Sequence, residues 1–82
     1  METQETQENT VDLDNLLAAY KAAVEEWIVA IREEERLALP DHSMRDWEIW
    51  DRAVLNEEET GEKAQDARRE YEDALRKQLL NF

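Results

Sequence analysis

Apolar residues recur at helical spacing through the first half of the chain. Leu13, Leu17, Tyr20, Val24, Trp27 and Ile31 follow one another at intervals of 4, 3, 4, 3 and 4. A strand would alternate every second residue, whereas this rhythm marks a helix packed along one side. Leu16, Ala23, Ala30 and Leu37 repeat every seven residues beside the seam and widen it. The pattern predicts a first helix from near Val11–Leu13 to near Leu39, with Thr10 or Asp12 as its cap. Asp12 and Asp14 then lie in the first turn, where the helix dipole favours negative charge. Pro40 ends it, because proline cannot continue a helix and disfavours the helical conformation in the residue before it.

A short connector, Pro40 to Ser43, leads to a second periodic stretch from Met44 to about Leu80. A link this short joins antiparallel neighbours. Ser43 is suited to the N-cap, with Asp46 three residues on able to reach back. Trp47, Trp50 and Val54 carry the seam, and the same register then meets Glu57, Gly61, Ala64, Arg68, Tyr71 and Leu75. Residues 56–61 lack any apolar side chain and hold the only glycine. That segment admits two readings, one long helix kinked at most, or a break that starts a third helix. The unbroken register favours one helix, since a glycine inside a helix costs only about 1 kcal/mol. The expected fold class is all-α, an antiparallel hairpin of two long helices.

Trp27-Ile28-Val29-Ala30-Ile31 changes the picture. At 100° per residue, five such residues go right round a helix, and one partner helix covers about a third of that circumference. Ile49 and Leu55 also point away from the seam of the second helix. A lone hairpin would leave several of these in water, and exposed apolar patches mark association surfaces. The expectation is a homodimer, two hairpins forming a four-helix bundle. Its association face would draw on Trp27, Ile28, Val29, Ile31, Ile49, Trp50 and Leu55. A three-helix monomer, broken near residue 60, is the alternative. Trp27, Trp47, Trp50 and Tyr20 are read as core residues first and as a binding cluster second, because their register matches the seam. Tyr71 and Phe82 would pack at the opposite end.

Composition narrows the function. The chain has 82 residues, 22 Asp and Glu against 10 Lys and Arg, one Gly, one Pro and no Cys. That length allows one domain, expected over residues 11–82, with a polar, disordered tail over residues 1–10. Without cysteine there is no disulfide framework, zinc-thiolate site or thiol nucleophile. The formal charge of −12 argues against direct binding to nucleic-acid phosphates. No basic leader or long apolar run is present, so neither a signal peptide nor a membrane contact is expected, and the default location is the cytoplasm.

Candidate chemistry is sparse. Glu25-Glu26, Glu33-Glu34-Glu35 and Glu57-Glu58-Glu59 are charge runs. Helical di-iron sites pair inward glutamates with Glu-x-x-His, and no acid here has a histidine three residues on. No metal or other cofactor is expected. Glu34 and Glu57 fall on the seam and could face each other near a hairpin end or turn outward. His42 has only the adjacent Ser43 as a hydroxyl neighbour and lacks an orienting third group, so no catalysis is expected. Residues 62–82 carry five acids and five bases, which places the whole excess of −12 in residues 1–61. The resulting expectation is a self-associating structural or protein-interaction module. The alternative is an acidic inhibitor, antitoxin or nucleic-acid mimic whose negative surface meets a basic protein partner.

Overall fold

A computed structural model describes the backbone of residues 2–41 and 43–80 and the side chains of residues 12–41 and 43–80. It contains two α-helices, α1 (Glu2–Leu37) and α2 (Met44–Leu80), packed against each other along their length. The fold is the all-helical hairpin expected from the seam. Its helix α1 begins well before Val11–Leu13. Once a packed segment has nucleated, each further helical residue adds a hydrogen bond at little extra cost. The disordered tail expected over residues 1–10 coincides with the start of α1, where the side chains lie outside the described residues, and the roles considered for His42 and Phe82 lie outside them too.

The connector is built by local chemistry. Helix α1 stops at Leu37, two residues short of the expected Leu39, and the Ala38 amide donates to the Glu35 carbonyl at 3.2 Å. A tight last turn of this kind is common where proline lies just beyond. Ser43 and Asp46 then cap α2 reciprocally. The Asp46 amide donates to Ser43 Oγ at 3.1 Å, and the Ser43 amide and hydroxyl donate to Asp46 Oδ2 at 3.2 and 2.9 Å. The Trp47 amide closes the first helical bond to the Ser43 carbonyl at 3.0 Å.

Residues 56–61 do not break α2. The Thr60 hydroxyl donates back to the carbonyls of Asn56 at 2.8 Å and Glu57 at 3.1 Å, which satisfies the hydroxyl inside the continuous helix. Among the described residues the fully buried positions are all small: Ala23 and Ala30 on α1, Gly61 and Ala64 on α2. Small residues on facing helices let the backbones approach closely. Large seam side chains such as Tyr20, Val24, Trp27, Trp50, Val54 and Tyr71 are half-buried around them. The product is a rod of 63 × 19 × 14 Å. Its radius of gyration, 18.6 Å, exceeds the roughly 12 Å of a compact chain of this length.

Candidate interaction flank

Trp27 organises the centre of the hairpin. Its indole lies directly over Gly61, where an added Cβ would sit 2.8 Å from the indole nitrogen and 2.9 Å from Cε2. The only glycine is therefore required by close approach to a ring, not by a turn or a helix end. The same indole nitrogen donates to Glu57 Oε2 at 2.8 Å, one turn toward the connector. This explains a glutamate on the seam, since a half-buried indole N–H needs an acceptor. Tyr20 and Tyr71 stack across the seam farther along, with ring centroids 6.4 Å apart. Trp47 and Trp50 lie at 5.5 Å from each other near the connector.

Glu34 faces Glu57 across the seam. Partial removal from water raises the pKa of Glu34 above its ordinary value, and the charge of Glu57 and a hydrogen bond to it raise it further. Glu58 and Glu35 add to the shift. Two carboxyl groups sharing a site partly removed from water disfavour the charged form of Glu34. An open cleft of about 370 Å³ runs over this pair, lined by Ile31, Glu34, Glu35, Ala38, Trp50 and Glu57.

The helical rotation distributes the seven residues expected on one association face over three surfaces. Trp27 and Trp50 are half-buried within the hairpin, and each lines a cleft on its surface, Trp50 beside Ile31 and Trp27 beside Gln65, Arg68 and Arg69. Ile31 lines the cleft of a first flank, and Ile28 lies one turn before it on the same side. Both are exposed, as is Trp47. Val29 opens onto the opposite flank, where it shares a cleft with Glu25, Glu26, Asn56 and Thr60. Ile49, seven residues before Asn56, belongs to that second flank too. Leu55 turns to the back of α2, beside Trp47, Glu48, Asp51 and Arg52. Sequence periodicity placed Ile28, Val29, Ile49 and Leu55 off the seam but did not separate left from right, because the side follows only once the partner helix is fixed.

The two flanks differ in character. The first presents Ile31 and Trp50 on its cleft, with Val24 and Ile28 on the same side of α1. The second is crossed by the ion pair between Lys63 and Glu26, at 3.0 Å, which links the two helices. The remaining bridges lie within a helix, for example Arg32–Glu35 and Arg68–Glu72, and all are exposed. Among the described residues, no group of three His, Cys, Asp or Glu is arranged to hold a metal ion, and no helix is long and apolar enough to cross a membrane. No family model, curated protein or solved structure matches this chain.

Proposed function

We propose that this protein is a self-associating helical module, whose biochemical role is to pair hairpins through the Ile28–Ile31 flank. One observation carries the reading. No large side chain among the described residues is fully buried, while Ile28, Val29, Ile31, Trp47, Ile49 and Leu55 are all exposed. A hairpin of this composition has a thin interior of alanine and glycine and keeps its larger apolar groups outside it.

Sedimentation equilibrium from micromolar to millimolar concentration tests the proposal. The expected result is a dimer that Ile31→Glu or Ile28→Glu dissociates, with helicity retained at high protein concentration. Val29→Glu, on the other flank, should leave it intact. A monomer across the whole range would overturn the reading.

A further inference from the structure

Resting on that self-association, we propose that the second copy docks antiparallel on this flank, with the twofold axis crossing at Ile28 and each copy's basic end lying over its partner's acidic cleft. The charges on the flank are separated along the rod. Near the connector, the cleft with Glu34, Glu35 and Glu57 has no Lys or Arg among its described lining residues. Toward the open end, the next cleft on the same flank is lined by Trp27, Gln65, Arg68 and Arg69, with no acid among them. Between them lies the apolar belt of Val24, Ile28 and Ile31.

The spacing of these groups fits a twofold axis in the plane of the flank, perpendicular to the rod. Lys21, Ile28 and Glu35 fall seven residues apart on one line of α1, so a rotation that superposes Ile28 on its own copy brings Lys21 opposite the partner's Glu35. On α2 the level of Ile28 falls near residues 62–63, as the Lys63–Glu26 and Trp27–Gly61 contacts show. Glu57 and Glu58 on one side of that level are then matched by Arg68 and Arg69 on the other. A parallel arrangement would instead lay each acidic cleft on its equivalent, which like-charge repulsion disfavours. Arg68 and Arg69 already bridge Glu72 and Asp66 within α2, but those pairs are exposed and exchange partners at little cost.

Disulfide trapping reads the orientation directly, because the chain has no cysteine of its own. Chains carrying Lys21→Cys and Glu35→Cys are mixed, oxidised slowly and compared with each variant alone. The mixture should give the crosslinked heterodimer, and each variant alone should give little, since like positions lie about 21 Å apart along the rod. Efficient crosslinking of each variant with itself would overturn the antiparallel arrangement. As a second measurement, Lys21→Glu should weaken dimerisation by about tenfold, from two symmetry-related contacts turned repulsive. The Lys21→Glu, Glu35→Lys double variant should recover most of the loss. A sedimenting dimer with no mixed crosslink and no recovery refutes this orientation and leaves self-association standing. A monomer in every sample refutes both.

Discussion

Gly61→Ala probes the tightest contact in the hairpin. In an ordinary helix this substitution stabilises by about 1 kcal/mol, because alanine loses less backbone freedom on folding. Here the new methyl would stand 2.8 Å from the Trp27 indole nitrogen and 3.2 Å from Cζ2. The ring is rigid and held by its bond to Glu57, so it gives way only by leaving its place or by pushing the helices apart. Overpacking of this kind costs about 1–3 kcal/mol. Loss of a hydrogen bond to a charged acceptor adds about 1.5–3 kcal/mol if the indole swings out. After the helix-propensity gain of about 1 kcal/mol, the expected net loss is about 0–2 kcal/mol with the ring in place and about 1.5–5 kcal/mol if its hydrogen bond is also lost. Urea unfolding followed by circular dichroism measures it, at one fixed protein concentration, because association makes apparent stability depend on concentration. The decisive comparison is a Trp27→Ala background. There the methyl has room, and Gly61→Ala should stabilise by about 1 kcal/mol as in a free helix. A gain of that size in both backgrounds would refute the claim that the ring dictates glycine at position 61.

Other substitutions examine separate parts of the structure. Ser43→Ala removes the reciprocal cap and should cost about 1 kcal/mol in the same urea assay, without changing the oligomeric state. Ala30→Leu forces a branched side chain into the closest part of the seam and should destabilise by about 1–3 kcal/mol, while the same change at exposed Ala22 should be neutral or mildly favourable. Lys63→Ala should leave the urea midpoint nearly unchanged, because the bridge to Glu26 is exposed, and a large shift would show that the pair does more than decorate the flank. Glu34 predicts a pH effect of definite sign. Its pKa is raised in the folded hairpin from an ordinary 4.5, so its contribution is fully present below 4.5 and is lost as pH rises through the raised value. Glu34→Gln, fixed in the neutral form, should therefore be more stable than the parent at pH 7 and flatten this part of the stability profile. Parallel pH profiles for the two proteins would contradict the like-charge contact with Glu57.

The amino-acid sequence determined much of the fold because its signals are local. The 4-3 seam from Leu13 to Ile31 makes a helix whatever lies opposite, Pro40 must end it, and Ser43 with Asp46 is a complete cap in four residues. The unbroken register through residues 56–61 was enough to keep α2 in one piece. The sequence also marked Ile28, Val29, Ile49 and Leu55 as lying off the seam, since that follows from rotation about a single helix axis. What only the tertiary structure decided depends on two helices at once. Periodicity cannot say that Gly61 lies beneath the Trp27 ring, that Glu57 accepts from its nitrogen, or that Glu34 meets Glu57 at the connector end. Nor can it separate the Ile31 flank from the Val29 flank, because left and right exist only after α2 has docked. Helical rise and rotation are fixed by each chain segment alone, whereas the register and side of a contact are set by how closely the small residues Ala23, Ala30, Gly61 and Ala64 allow the second backbone to approach.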